Sequence, residues 1–386
     1  MRIPARKLRP LLALFAGVAG AALVYAAIPA IPPATSSAGA EPLPRRAPAD
    51  PAALREAYAY LPAQTRFDAF VAVHQGRELA RWGDADLPIN THSVRKSLLS
   101  ALYGIAIDRG YLRLDQSLAE LGIDDRVVPL TAQEKRATVR DLLMSRSGIY
   151  IQAAGEARGM KDSRPRRGAH RPGEFFYYNN WDFNVLGTIF ERRTGLSIGD
   201  AFERWIARPT GMTGFRAAHV IYEQPGYTEH RQFVIFLSAA DLARFGMLYA
   251  DRGRWGGVQV VPQAWVERST RACSPVADRD PFDAYGYLWW VDRDADTVWA
   301  DGWGGQFLIV DARRRLALVS RNDTGRSRLQ LGWFVLFDGD GWRSHHQHLH
   351  QLMIRAAGAA PPSDAPARAG PGRNAEPRLA AADPAC

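Results

Sequence analysis

Apolar positions outline this chain before any single residue does. They run without a charge from 11 to 28. Two short apolar-rich segments, 67–74 and 77–82, then flank Gln75-Gly76, the pattern of a β-hairpin. Over 93–109, Leu98, Leu99, Ala101, Leu102, Ile105 and Ala106 leave little polar face, so the pattern predicts a buried helix closed by Gly110. Further helices are predicted over 138–145, 181–194, 197–207, 239–252 and 262–270, and a last one over 342–356. Strands are predicted over 285–291, 297–300, 306–311 and 316–322. Strands at both ends with helices between them imply an α+β fold. Its single antiparallel sheet would hold the N- and C-terminal strands side by side.

Composition changes the picture at the ends. Arg2, Arg6, Lys7 and Arg9 precede the apolar run, the layout of an export signal over 1–28. The run is about 18 residues, near the lower limit for a bilayer span, so an uncleaved N-terminal membrane anchor is the alternative. Either way the domain is expected to be periplasmic or extracellular. Segment 29–52 is rich in Pro, Ala and Ser and reads as a linker. Segment 357–386 has the same character and is expected to be disordered, which leaves 53–356 as the folded domain. The formal charge is +9, but six cations against Glu41 and Asp50 fall in the first 50 residues. The other arginines are scattered and no nucleic-acid motif accompanies them, which excludes a nucleic-acid partner. Cys273 and Cys386 are too few for a disulfide framework and have no metal-binding spacing. A bridge between them is open to an exported protein.

The chemistry begins with Ser93-Val94-Arg95-Lys96 at the start of the buried helix. Residues three apart share a helix face, so the lysine amine reaches the serine hydroxyl. Serine needs a base to become a nucleophile, and a lysine depressed by burial can serve. Only four lysines occur, Lys7, Lys96, Lys135 and Lys161, which limits chance matches. The plain alternative is that Ser93 caps the helix. Tyr178-x-Asn180 stands just before another predicted helix. A tyrosine between cations can relay protons, and an amide can hold both lysine and substrate carbonyl. An aromatic packing cluster with turn asparagines is the alternative. Last comes Ala300-Asp301-Gly302-Trp303-Gly304-Gly305-Gln306, where glycines let a substrate lie against main chain and a backbone N–H complete an oxyanion hole. A bulged hairpin explains it equally well.

In order and spacing, these three segments resemble the β-lactamase-related superfamily of serine hydrolases. Pro172-Gly173, Phe176, Tyr178-x-Asn180 and Leu186-Gly187 look like its second motif. Ala137-Thr138, Asp141-Leu142-Leu143 and Ser147-Gly148 resemble the segment between its first two motifs. The resemblance implies a β-lactamase/transpeptidase-like fold: an antiparallel sheet flanked by helices beside an all-helical lobe, with the site between them. It implies Ser93, Lys96 and Tyr178 as catalytic residues, Asn180, Asp301, Gly302, Trp303 and Gln306 as substrate contacts, and neither metal nor cofactor. Where these families show Lys-Thr-Gly or His-x-Gly, this chain has Ala300-Asp301-Gly302. The lost cation and the acid at 301 make an acidic substrate less natural. They favour ester or amide cleavage of a small molecule or short peptide, in the style of esterases and aminohexanoate-oligomer hydrolases. A β-lactamase or D-Ala-D-Ala carboxypeptidase, and a non-catalytic envelope-binding protein on the same scaffold, are the competing readings. His346 and His350 have metal-type spacing but no carboxylate nearby in sequence, and no Gly-x-Ser-x-Gly elbow exists. Trp289, Trp290, Trp299 and Trp303 fit either an apolar cleft or core packing.

Overall fold

A computed structural model describes residues 42–65, 67–279, 281–324, 341–359 and 386. The apolar run 11–28 and most of the C-terminal segment therefore lie outside the described residues. Helix α1 (Pro51–Gln64) is capped by Asp50, whose side chain accepts from Ala52 and Ala53 N–H. The stretch before it, expected as linker, is tied down from Arg46 on. Arg46 N–H donates to the Glu78 carbonyl, and Ala49 N–H to that of Ala356, each at 2.8 Å.

Strands β1 (Ala69–His74) and β2 (Arg77–Gly83) form the predicted hairpin. Gln75 and Gly76 both take positive φ, 52° and 75°, as a tight two-residue turn demands. The main sheet has eight strands in the order β2-β1-β13-β12-β11-β10-β9-β8. Its C-terminal members are β8 (Ser274–Arg279), β9 (Phe282–Tyr285), β10 (Trp290–Asp292), β11 (Thr297–Gly302), β12 (Gln306–Asp311) and β13 (Leu316–Arg321). β1 pairs antiparallel with β13, from Ala69 opposite Arg321 to His74 opposite Leu316, so the two ends of the chain meet as expected. β1, β12 and β13 are buried along their whole length. Alternate residues explain this. Val71, Val73, Leu308, Val310, Ala317 and Val319 enter one core, while Phe70, Ala72, Phe307, Ile309, Leu316 and Leu318 enter the other. A sheet covered on both faces selects continuous apolar runs over alternation.

On one face lie α1 and the last helix, Gly341–Ala357. The other face carries the helical lobe. It includes α2 (Arg95–Asp108), α3 (Val139–Leu143), α4 (Arg158–Asp162), α5 (Asn180–Thr194), α6 (Ile198–Phe202), α7 (Ala239–Ala250) and α8 (Gln263–Ser269), which makes the last helix α9. Small sheets join β3 (Ile89–Asn90), β5 (Gln232–Leu237) and β4 (Val220–Glu223), and β6 (Arg254–Trp255) with β7 (Val258–Gln259). The strand predicted over 285–291 is broken. Leu288 turns with φ 65°, and a side chain on Gly286 would strike the Ser269 carbonyl at 2.3 Å. Packing against α8, invisible to periodicity, bends the chain there.

Candidate active site

Ser93 sits in a 3-10 turn, His92–Val94, just ahead of α2, and is not its cap: the cap position is Val94. The segment is aimed by its neighbours. Thr91 N–H and Oγ1 both donate to the Ile235 carbonyl at 2.9 Å, and the Asn90 side chain accepts from His92 N–H at 2.8 Å. His92 holds φ 46°, a costly conformation for a residue with a side chain. Its ring is within 2.8 Å of Thr324 Oγ1 and meets Trp303 edge-on.

Lys96 Nζ donates to Ser93 Oγ at 2.7 Å. The amine is buried and lies 4.7 Å from the centroids of both Tyr178 and Phe183. Burial first, then the charges of Arg95 and Arg279, push the lysine well below its ordinary value, while Asp301 opposes them. Tyr178 stacks on Trp290 at 5.1 Å. Burial raises its phenol to about 12, against the lowering effect of a hydrogen bond with Ser93 and of Arg279. At neutral pH the tyrosine is therefore protonated.

Ser145 grips the chain on both sides of Tyr178. Its hydroxyl donates to the Tyr177 carbonyl at 2.7 Å and accepts from Asn179 N–H at 3.1 Å. Ser145 takes φ 56° to do so and is fully buried. Behind it, Ser147 Oγ and Asn179 Nδ2 both donate to Asp182 Oδ1, at 2.6 and 2.9 Å. Burial drives that carboxyl well above its ordinary value.

Gly302 brings β11 against the segment that carries Ser93. A methyl there would lie 2.6 Å from the Thr91 carbonyl oxygen. Gly304 and Gly305, with φ 76° and 80°, carry the turn that presents Trp303.

Ser93, Lys96, Tyr178, Gly302 and Trp303 thus gather at one place. Three expected substrate contacts behave differently. Gln306 is consumed internally: its Oε1 accepts from Arg321 Nε at 2.8 Å and its Nε2 donates to the Asn322 carbonyl at 2.5 Å, so it organises the turn instead of meeting substrate. Asp301 is held by Arg279 and Arg343, at 2.8 and 3.0 Å. Asn180 Nδ2 donates to the Gly155 carbonyl at 2.6 Å, and its buried Oδ1 has no hydrogen-bond partner. Ser145 and Arg279 were missed. Ser145 stands two residues before the recognisable Ser147-Gly148; Arg279 carries no local signal. Of the tryptophans, Trp289 and Trp299 are core, while Trp290 and Trp303 border the site. His346 pairs with Ser320 and His350 with Asp311, and no metal-capable cluster occurs among the described residues. Cys273 and Cys386 are joined in a disulfide.

A model of the beta-lactamase family matches residues 47–357. The 6-aminohexanoate-dimer hydrolase of Paenarthrobacter ureafaciens is 27% identical over 288 residues, 66% of this chain and 72% of that protein. Among solved structures, a penicillin-binding protein homolog from Caulobacter crescentus superposes with a TM-score of 0.52 at 17% identity, covering 70% of this chain and 91% of that one. A beta-lactamase from Mycobacterium bovis gives 0.50 at 19% identity, covering 76% and 99%. At these identities the two structures speak to the fold alone.

Proposed function

Since the chain belongs to the beta-lactamase family, and is a serine hydrolase of that kind, we propose that it is an exported enzyme that cleaves small esters or linear amides through an acyl-enzyme on Ser93. The observation that carries this reading is the contact of 2.7 Å between Lys96 Nζ and Ser93 Oγ, with the lysine depressed by burial. A neutral Lys96 takes the serine proton as Oγ attacks the substrate carbonyl. The oxyanion that forms is assigned to main-chain N–H groups, that of Ser93 and one from the glycine-rich turn that follows β11. Tyr178, protonated at neutral pH, hands a proton to the departing amine or alcohol and regains it from the lysine ammonium. Water then attacks the acyl-enzyme, returning the acid and a free Ser93. The similarity to a hydrolase whose name specifies a 6-aminohexanoate dimer supports short linear substrates.

Export rests on the basic start and apolar run of residues 1–28. The Cys273–Cys386 disulfide supports an oxidising compartment. A fluorophosphonate probe is expected to label the purified protein and to leave Ser93→Ala unlabelled. Equal labelling of both would remove Ser93 from the mechanism. Cell fractionation tests the compartment: recovery in the cytoplasm alone would overturn export.

A further inference from the structure

We propose that the cavity at the far end of α2 from Ser93 binds a compact, phosphate-bearing polyanion, a ligand class separate from the ester or amide cleaved at Ser93. The cavity measures about 460 Å³ and lies where the loop after α2 meets α3, α5 and α8. Helix α2 has 14 residues, so its two ends stand about 20 Å apart, and none of the active-site residues lines the cavity. Four arginines do: Arg113 from the loop, Arg140 from α3, Arg193 from α5 and Arg268 from α8. Scattered along the chain, they are gathered by the fold.

Among the described residues the lining holds one acid, Asp115, whose Oδ1 already accepts from Arg113 Nε at 3.0 Å. Arg140, Arg193 and Arg268 form no ion pair among the described residues. The acids beside them are engaged elsewhere. Asp141 accepts from the Thr138 N–H and hydroxyl, at 2.8 and 2.7 Å, in the capping box of α3. Glu191 binds Tyr222 and Arg231, and Glu267 accepts from Gln263. Arg140 Nε is buried with no hydrogen-bond partner, and Arg193 uses its Nε alone, on the Tyr111 carbonyl at 3.1 Å. The frame that holds these groups is fixed. Val139 and Arg140 N–H donate to the Gln116 and Leu114 carbonyls at 3.0 and 2.9 Å, which fastens the loop to α3. Trp265, one turn before Arg268, packs so closely on α2 that a methyl on Gly104 would lie 2.3 Å from its ring. Cations fixed around one cavity repel one another, and an anion among them relieves that cost. Donors already in place also lose little entropy on binding.

Size and charge name the ligand. A water occupies about 30 Å³, so the cavity has room for roughly fifteen, far more than one carboxylate needs. Guanidinium forks match phosphate oxygens in pairs, and a chain of two or three phosphates carries enough charge to meet three of them. Tyr111 also lines the cavity. It is 37% exposed with one face on Trp205 at 6.2 Å, which leaves the other to a nucleoside base. The phosphate chain is the shared chemistry of two sources, inorganic polyphosphate and a nucleoside polyphosphate.

Calorimetric titration of the whole protein with sodium tripolyphosphate tests this, at 0.15 M salt to screen loose association. Saturable one-to-one binding with a Kd on the order of 10–100 μM is expected. Arg140→Gln and the exposed Arg268→Gln should each weaken it about tenfold or more, the loss of one charge-assisted contact. Arg192→Gln removes the same charge from α5 at an exposed position outside the lining and should stay within about twofold. Thermal melts show that each variant folds, and tripolyphosphate should raise them only where binding persists. Adenosine triphosphate binding more tightly than tripolyphosphate assigns the nucleotide as the ligand; equal or weaker binding assigns the free polyphosphate. No binding at millimolar tripolyphosphate, or equal weakening by Arg192→Gln, overturns the inference. Neither result bears on Ser93, whose chemistry is read separately by ester turnover.

Discussion

Replacing Gly302 by alanine tests how closely β11 must lie against the segment that carries Ser93, the proposed nucleophile. The new methyl would stand 2.6 Å from the Thr91 carbonyl oxygen and 3.0 Å from Gln306 Cβ. An ordinary carbon–oxygen contact needs about 3.3 Å, so the overlap with Thr91 is roughly 0.7 Å. Neither obstacle is the tip of a flexible side chain, so no rotamer change relieves it. Either the strand retreats or Thr91 does, and Thr91 is two residues from Ser93. Overpacking of this kind costs about 1–3 kcal/mol. A shift approaching 1 Å at reacting groups costs on the order of a hundredfold in rate. The expectation is a fall of about 10- to 100-fold in kcat/KM for a p-nitrophenyl ester, with a parallel slowing of fluorophosphonate labelling. Thermal melting should drop by about 2–10 °C. Gly76→Ala serves as the control. It meets no atom within 4 Å but forces φ 75° on alanine at the far hairpin, so it should cost about 1–2 kcal/mol and leave kcat/KM alone. A Gly302→Ala variant within twofold of the unmodified rate would refute the idea that this close approach shapes the site.

Three further outcomes are expected. Ser145→Ala removes both bonds that straddle Tyr178 and should lower kcat about tenfold with little change in KM; Ser274→Ala, which loses a buried bond to the neighbouring Met144 carbonyl, should cost similar stability without the kcat effect, and equal kcat losses would deny Ser145 a positioning role. Lys96→Met should abolish labelling yet raise stability at pH 7 by about 1–4 kcal/mol in urea unfolding. The folded lysine lies well below its unfolded value, so between the two the unfolded chain alone holds the proton and stability climbs with pH; the gain from methionine should therefore fade towards pH 10, and a less stable variant at pH 7 would contradict it. The disulfide closes a separation of 113 residues, for which loop-closure entropy gives about 5 kcal/mol, so Cys386→Ser should unfold at clearly lower urea, and a change under about 1 kcal/mol would count against the bridge.

Local patterns account for much of what was legible beforehand. The 75–76 turn needs two residues that tolerate positive φ, and β12 and β13 are continuous apolar runs because both faces of the sheet are covered. Ser93 and Lys96 meet because a helix brings residues three apart together, a fact of spacing that any sequence displays. Other features depend on chain segments that meet only after folding. Leu288 interrupts an apolar stretch because α8 crowds Gly286. Gln306 is an internal strut because Arg321, on the next strand, takes its amide oxygen. The cation beside Tyr178 could not be read from Ala300-Asp301-Gly302, since it arrives from Arg279, 22 residues before Asp301, while Arg343, 42 after it, also binds that carboxylate. The sequence by itself determined that Ser93 and Lys96 lie side by side, and the general architecture, because these follow from periodicity and short-range spacing. The tertiary structure alone decided which polar groups are taken up by internal bonds, because hydrogen-bond satisfaction and electrostatics depend on neighbours in space, whatever their distance along the chain.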